Sequence, residues 1–197
     1  RPDHPTHLVL DLDPPEGAAF GAVVEAAHLV RDTLAGVGLE GAVKTSGAKG
    51  LHVFVPLDAD VGAGDAAAAT RAIAARAEAA NPRVATTAFM KDDRGGRVFV
   101  DATRVGGATV VAAYSPRVRP GVPVSFPLPW DEIDGVAPGD FTVRSVLERL
   151  CDSDPWVDAM PAPQALPPGL VEEGGAIAPG RVEAMHEGKR RARARRT

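Results

Sequence analysis

Apolar residues along the chain follow two spacings, one typical of strands and one typical of helices. In "HLVLDLD", residues 7–13, the three leucines fall on one face of a strand, and Asp11 and Asp13 fall on the other face, because side chains alternate along a strand. Two prolines follow at once, and proline cannot extend a central strand. The pattern therefore predicts a strand that ends with both carboxylates near its carboxyl end.

Two longer segments have apolar residues at helical spacing. Residues 18–39 are predicted to form an amphipathic helix that ends at glycines, and His28 within its apolar pattern is interpreted as a structural residue. The alanine-rich segment before Pro82 predicts a second helix with Asp65 as its N-cap. Between these helices, residues 41–57 predict two short strands around a glycine-containing loop.

The second half of the chain is predicted to add two strands and a helix. "GGRVFVDAT" has the spacing of a strand that carries Asp101, and "GATVVAAYSPR" is expected to pair antiparallel with it across a turn at residues 105–107. "FTVRSVLERL" predicts a short last helix. Residues 161–187 are rich in proline and glycine, which predicts a flexible linker after a packed domain of residues 1–160.

The length of 197 residues suits one core with tails. No apolar run approaches the ~20 residues of a membrane span, and no secretory signal is visible, so a cytoplasmic, nucleoid-associated location is the expectation. Cys151 is the only cysteine, which excludes an internal disulfide and a cysteine-rich zinc site. Any bound metal is therefore expected to use oxygen or histidine ligands.

The net charge of −4 conceals a basic tail at residues 188–197. A basic tail on an acidic chain often contacts nucleic-acid phosphates without reading sequence, and the alternative is a solvated end. The positive side chains of the tail are Lys189, Arg190, Arg191, Arg193, Arg195 and Arg196.

Three aspartates are candidate metal ligands. Asp11 and Asp13 are close enough on one strand end to bind one divalent ion together, and Asp101 on a neighbouring strand could complete the site or bridge to a second ion. The alternative for a D-x-D pattern alone is an ordinary strand that runs into a turn, where aspartates are common.

The segment "KTSGAKGLH" has the residue types of a phosphate-binding loop. Its glycines let the backbone approach an anion, while Ser46, Lys49 and His52 can donate to phosphate oxygens. A hairpin with an exposed lysine is the alternative. Arg117, in "AYSPRVRPG", and Arg94 add guanidinium groups suited to phosphates. Carboxylates beside phosphate-binding groups indicate a nucleotidyl-transfer site in which two metal ions activate a 3'-hydroxyl and stabilise the leaving pyrophosphate.

Taken in order, "LVLDLDPPEG", "VKTSGAKGLHVFVPL", "GGRVFVDATR", "AAYSPRVRPGVPVSFPLPWDEI" and "FTVRSVLERL" resemble the polymerase domain of bacterial ligase D, over about residues 1–160. That domain belongs to the archaeo-eukaryotic primase superfamily and works in nonhomologous end joining. The resemblance implies an α+β fold with an RRM-like, mainly antiparallel catalytic sheet flanked by helices. It also implies addition of nucleotides, with ribonucleotides favoured and Mn²⁺ or Mg²⁺ as the ions.

The resemblance assigns roles to the candidate residues. Asp11, Asp13 and Asp101 match the catalytic metal aspartates. The phosphates of the incoming nucleotide are expected on Ser46, Lys49, His52, Arg117 and Arg94. The implied partners are a DNA end or gapped duplex with a 5'-phosphate, the NTP, Ku and a separate DNA ligase.

The sequence also departs from the family pattern. Val105 replaces a polar residue after Arg104, the familiar "APYS" is "AAYS", and family domains carry a further segment ahead of the D-x-D strand. A nucleic-acid-binding relative without turnover, or a fragment, is therefore one alternative. A haloacid-dehalogenase-like phosphatase, with Asp11 as its nucleophile, is another, although Pro14 and Pro15 depart from that motif.

Overall fold

The computed structural model describes residues 3–105, 109–150 and 154–180. In this part of the chain, six strands form one sheet and five α-helices accompany it. The strands are β1 (His7–Asp13), β2 (Ala42–Thr45), β3 (Leu51–Pro56), β4 (Ala85–Thr86), β5 (Val98–Asp101) and β6 (Pro127–Leu128). The helices are α1 (Phe20–Gly36), α2 (Ala63–Ala80), α3 (Val146–Arg149), α4 (Pro155–Ala159) and α5 (Pro168–Ala176).

The strand order in the sheet is β4-β5-β1-β3-β2-β6. β1 lies at the centre and pairs antiparallel with β3 on one side and with β5 on the other. Only the short β4 pairs parallel with its neighbour, β5. This arrangement confirms the predicted α+β class with a mainly antiparallel sheet.

The core lies between the sheet and helices α1 and α2. Leu8, Leu10 and Leu12 on β1 have no exposed surface, as the alternating pattern predicts. Both long helices form as predicted, and α1 is shorter than the predicted range of residues 18–39. Asp65 is not the N-cap of α2, because the helix begins after Gly62 and Asp65 lies in its first turn. A carboxylate in the first turn still stabilises a helix through its dipole.

The predicted strand at residues 107–117 is wrong for the residues that the structure describes. Residues 109–113 form no strand, and only Pro116 makes an isolated bridge, to Val124. Both sides of β5 are already taken, by β1 and by β4. A hairpin partner would therefore have no free edge to join.

The predicted flexible linker is also wrong where α5 forms. Leu170 is buried, and the Arg76 guanidinium on α2 pairs with Glu173 at 2.5 Å. Gly174 lies so close to α2 that a Cβ there would collide with the Ala68 carbonyl. Composition alone suggested a linker, but a glycine can also allow two helices to pack closely.

Hydrogen bonds of Gln164 connect the segment before α5 to the sheet. Its side chain accepts from the Glu40 backbone N–H and donates to the Glu40 carbonyl, both at 2.8 Å. Its backbone bonds to Pro56 and Asp58. The packed unit therefore extends past residue 160. None of the helices in the described residues combines the length and apolar character needed to cross a membrane.

Candidate active site

Asp11 occupies the centre of the candidate site because it has a polar partner on each side in the sheet. In the strand register, Asp11 lies directly opposite His52 on β3 and directly opposite Asp101 on β5. His52 Nε2 lies 3.2 Å from Asp11 Oδ1. All three side chains are largely buried. The pairing of β1 with two antiparallel neighbours therefore brings together residues that are far apart in the sequence.

Arg104, which was not among the predicted site residues, joins the two carboxylates. Its Nη2 lies 2.8 Å from Asp11 Oδ2 and 3.0 Å from Asp101 Oδ2. Its buried Nε has no hydrogen-bond partner in the described part of the chain. Asp101 Oδ1 accepts bonds from the backbone N–H and hydroxyl of Thr103, at 2.8 and 2.6 Å. Two sequence signals could have found Arg104: its place in the family pattern after the third aspartate, and its spacing of three residues from Asp101.

The two carboxylates of the D-x-D pair differ in their electrostatics. Burial raises the pKa of Asp13, and the negative charge of Asp11 raises it further. Burial acts in the same direction on Asp11, but the hydrogen bond from His52 and the charge of Arg104 outweigh it, so the pKa of Asp11 is lowered. A cluster of this kind needs positive charge, because carboxylates that share a site disfavour one another's ionised form.

The carboxylate oxygens of this site are chemically suited to bind a divalent cation. Carboxylate oxygens are the ligands that Mg²⁺ and Mn²⁺ prefer, and one oxygen each from Asp11 and Asp101 converges on a single atom, Arg104 Nη2. Within residues 3–105, 109–150 and 154–180, no three His, Cys, Asp or Glu side chains are already arranged as a metal site. The residues therefore fit a cation only where Arg104 gives up its position between the two carboxylates.

The loop between β2 and β3 is held by Ser46. Its Oγ accepts from the backbone N–H of Gly50 at 3.1 Å and from that of Ala48 at 3.3 Å. Both bonds use the oxygen as acceptor, which leaves the hydroxyl hydrogen for a ligand. Gly47 adopts a φ of 65°, and a Cβ on Gly50 would strike the Leu12 carbonyl of β1. These two glycines let the loop lie directly against the strand that carries the aspartates.

Two predicted phosphate contacts flank this loop. Arg117 Nη1 donates to the Ser46 carbonyl at 3.0 Å. Lys49 is exposed at the tip of the loop. The structure thus brings Ser46, Lys49 and Arg117 to one loop, while His52 lies at the start of β3 beside Asp11.

Arg94 lies on the β5 side of the carboxylates, across β1 from the β2–β3 loop. Its guanidinium bonds to backbone carbonyls of nearby residues. Its Nε and Nη2 donate to the carbonyls of Ala88 and Phe89, at 3.2 and 3.1 Å. Its guanidinium lies 3.9 Å from the centre of the Phe99 ring. Burial still raises the pKa of Asp13, and the positive charge of Arg94 offsets a small part of that rise. Its role as a phosphate contact stays a prediction.

A buried lysine behind His52 was also missed. Lys44 on β2 has no exposed surface, and its Nζ lies 3.0 Å from His52 Nδ1 and 2.6 Å from Ser125 Oγ. Burial lowers the pKa of Lys44 to about 7. A lysine at an inward position of an apolar strand was the signal that could have found it. The six basic tail residues lie outside the described residues.

A mostly antiparallel sheet, with a D-x-D pair on its central strand and a third aspartate on the neighbouring strand, is the architecture of a primase-polymerase domain. The model of the LigD primase-polymerase domain matches residues 1–156. The chain belongs to this LigD family, as the resemblance implied.

Solved and curated relatives agree with this assignment. The structure titled "Polymerase Domain from Mycobacterium tuberculosis Ligase D in complex with DNA" is 38% identical, with a TM-score of 0.69, over 75% of this chain and 52% of that chain. The multifunctional non-homologous end joining DNA repair protein LigD of M. tuberculosis H37Rv is 40% identical over 76% of this chain and 20% of its own length. The Bacillus subtilis LigD is 30% identical over 74% and 24%. The chain therefore spans about a fifth of these curated relatives.

Proposed function

We propose that this chain is the catalytic part of a metal-dependent nucleotidyltransferase that adds NTPs, with ribonucleotides favoured, to DNA 3' ends during end-joining repair. The observation that carries the proposal is the direct register of Asp11 and Asp101 on the neighbouring strands β1 and β5, which brings their carboxylates to one place. Asp13 follows two residues later on the same strand. Family membership supports the same reaction class.

Asp11, Asp13 and Asp101 would hold the divalent metal, Mn²⁺ or Mg²⁺. When bound, the metal would supply the charge that activates the 3'-hydroxyl and stabilises the leaving pyrophosphate. The role of the chain is to fix its carboxylates in the sheet. Strands support such a site well, because their ladder bonds and packing restrict side-chain positions more than loops do.

The triphosphate would lie on the β2–β3 loop. The Ser46 hydroxyl, the exposed Lys49 ammonium and the Arg117 guanidinium all belong to or border this loop. Hydrogen bonds from charged donors to phosphate oxygens are about twice as strong as neutral ones. Because His52 lies between this loop and Asp11, it would connect the phosphate region to the carboxylates.

The proposed macromolecular substrate is a DNA end or gapped duplex with a 5'-phosphate. Support comes from the solved relative, which is described as a complex with DNA. Ku and a separate DNA ligase are proposed as partners on the basis of the relatives, which are named for non-homologous end joining.

Extension of a gapped, 5'-phosphorylated primer-template with NTPs and Mn²⁺ tests the proposal. We expect Asp11→Asn and Asp101→Asn to reduce the rate roughly 100-fold or more, as loss of a main electrostatic element does in other enzymes. Asp60→Asn serves as the matched control, because Asp60 is exposed and lies beyond the far end of β3. Equal rates for wild type and the two site variants would reject the mechanism.

A nucleic-acid-binding role without turnover is a second candidate, and one observation favours it. Arg104 fills the position between Asp11 and Asp101, and the described residues hold no preformed metal site. In this case DNA would be retarded on a gel by wild type and by both site variants, while none of them extends the primer. The family match leaves no support for the haloacid-dehalogenase-like alternative.

The basic tail is proposed to contact DNA phosphates. Deleting residues 188–197 should lower DNA affinity and flatten its salt dependence, since each neutralised phosphate contributes to the slope. Unchanged affinity and slope would identify the tail as a solvated end.

A further inference from the structure

Tyr114 has a backbone conformation that a bulky residue rarely adopts. Its φ is 65°, and in the described part of the chain Val122 is the one other residue besides glycine with a positive φ. These two residues lie on either side of Arg117 in the sequence. A conformation of this kind is costly, and it persists only where the surrounding structure fixes it. Contacts of Tyr114 must therefore hold it in place.

Residues 114–125 form an irregular hairpin with Arg117 in its first arm. The Tyr114 N–H donates to the Ser125 carbonyl at 2.6 Å, which closes the base of the hairpin. The second arm is bonded to β2, since the Thr45 hydroxyl donates to one of its carbonyls at 3.1 Å and accepts from the N–H that follows the arm at 2.8 Å. The bonds to β2 therefore fix the arm opposite to the one that carries Arg117.

The side chain of Tyr114 joins the first arm to the start of α4. Its hydroxyl donates to the carboxylate of Asp154, the N-cap residue of α4, and accepts from the Trp156 backbone N–H at 3.0 Å. Its ring contacts Phe126 edge-on, with 5.8 Å between the ring centres. Trp156 in turn packs edge-on against Phe54 of β3, at 5.1 Å. The hydroxyl thus connects the hairpin to a helix that is itself packed on the sheet.

The Arg117 side chain lies directly on the β2–β3 loop. Its Nη1 donates to the Ser46 carbonyl at 3.0 Å, and a Cβ on Gly47 would lie 2.7 Å from its Cγ. A guanidinium has five N–H donors, so the bond to Ser46 leaves others for a ligand of the loop. A small movement of the first arm would displace these donors from the loop.

We propose that Tyr114 is a positioning residue: its hydroxyl connects the first arm of the hairpin to α4 and so holds the Arg117 guanidinium on the β2–β3 loop. Tyr114 acts through the backbone of residues 115–117 and needs no contact with a ligand. The effect on the hairpin is independent of nucleotidyl transfer. Its consequence for phosphate binding rests on the proposed function, in which Arg117 contacts the triphosphate.

Amide hydrogen exchange of the full chain tests the effect on the hairpin. We expect Tyr114→Phe, which removes only the hydroxyl, to speed exchange in residues 114–125 about fivefold, the factor that corresponds to one hydrogen bond. Asp154→Ala removes the same contact from the α4 side and should also speed this exchange. Thr33→Val is the matched control, because it removes one hydroxyl bond within α1, to the Leu29 carbonyl at 2.7 Å. Wild-type exchange rates in the hairpin of Tyr114→Phe would overturn the proposal.

Binding of inorganic triphosphate tests whether Tyr114 acts through Arg117. We expect Tyr114→Phe to weaken binding about threefold and Arg117→Gln about tenfold, as loss of a charge-assisted hydrogen bond does. The two changes together should weaken binding no more than Arg117→Gln alone, because residues that act through one contact are not additive. Additive losses, or wild-type affinity in Tyr114→Phe, would contradict the positioning role.

Wild-type affinity in Arg117→Gln would have a different meaning. It would reject the phosphate contact that the proposed function assigns to Arg117. The exchange rates would still decide whether Tyr114 holds the hairpin, so the two failures can be told apart.

Discussion

Asp11 and Asp101 face each other in direct register across β1 and β5, and one nitrogen of Arg104 contacts an oxygen of each. Two buried carboxylates side by side repel each other unless a positive charge lies between them. In this structure Arg104 supplies that charge. A divalent cation would satisfy the same two oxygens, so we expect Arg104 and such a cation to compete for one position.

Replacing Arg104 should therefore increase the stabilisation of the protein by Mn²⁺. We expect Arg104→Gln to lower the free energy of unfolding by about 1–3 kcal/mol in metal-free buffer, because two carboxylates lose a charged donor. Mn²⁺ should restore more stability to the variant than to wild type. Urea unfolding with and without Mn²⁺ measures both effects.

Arg149→Gln is the control for this experiment, because Arg149 forms an exposed ion pair with Glu132 and such pairs contribute little. An identical Mn²⁺ effect in wild type and Arg104→Gln would contradict the competition between the arginine and the metal.

The buried Lys44 should make stability depend on pH. Burial lowers its pKa from 10.5 to about 7, while Asp11 opposes this shift and Arg117 adds to it. Between these two values the unfolded chain binds a proton that the folded chain does not, so stability rises with pH across this window. From pH 7 to 9, wild type should gain about 1–2 kcal/mol relative to Lys44→Met. Urea unfolding at both pH values measures the difference, and a constant difference would show that Lys44 keeps its proton in the folded protein.

Gly50 should tolerate no side chain. A Cβ there would meet the Leu12 carbonyl on β1, between the two aspartates of the D-x-D pair. We expect Gly50→Ala to cost about 1–3 kcal/mol of stability, as overpacking does, and to weaken triphosphate binding. Gly21→Ala is the control, since Gly21 lies in α1 with open space around it. Equal unfolding free energies for both variants would show that the loop can move away from β1.

The α2–α5 contact can be tested with two adjacent glycines of one helix. Gly174→Ala should destabilise the protein by about 1–3 kcal/mol, because its Cβ would collide with the Ala68 carbonyl. Gly175→Ala meets no atom and should be neutral or stabilising by up to about 1 kcal/mol, because alanine favours helices over glycine. Thermal unfolding measures both. Equal effects would mean that α5 does not pack on α2.

The sequence allowed the central strands and their aspartates to be predicted because these follow local rules. Alternation placed Asp11 and Asp13 on one face of β1, and the order of motifs identified the family. The direct register of Asp11 with Asp101 and His52 could not be derived in the same way, because strand pairing depends on contacts between distant segments.

The missed features also depend on tertiary contacts. Arg104 and Lys44 became site residues only when the sheet placed them beside Asp11 and His52. The helix α5 was missed because its proline and glycine content suggested a linker, whereas packing of Gly174 on α2 outweighs low helix propensity. The strand predicted for residues 107–117 is wrong over the described residues 109–117, because the apolar pattern did not reveal that both edges of β5 are occupied.

Binding of a non-hydrolysable NTP analogue with and without Mn²⁺ tests the central claim most directly, because it requires the carboxylates and the β2–β3 loop to act as one site without DNA. We predict that Mn²⁺ tightens binding to wild type about tenfold or more, which corresponds to ~1.4 kcal/mol, and that this gain is lost in Asp101→Asn and kept in Asp60→Asn. An analogue that binds wild type and Asp101→Asn equally well, with the same response to Mn²⁺, would contradict the proposal that these aspartates hold metal for a bound triphosphate.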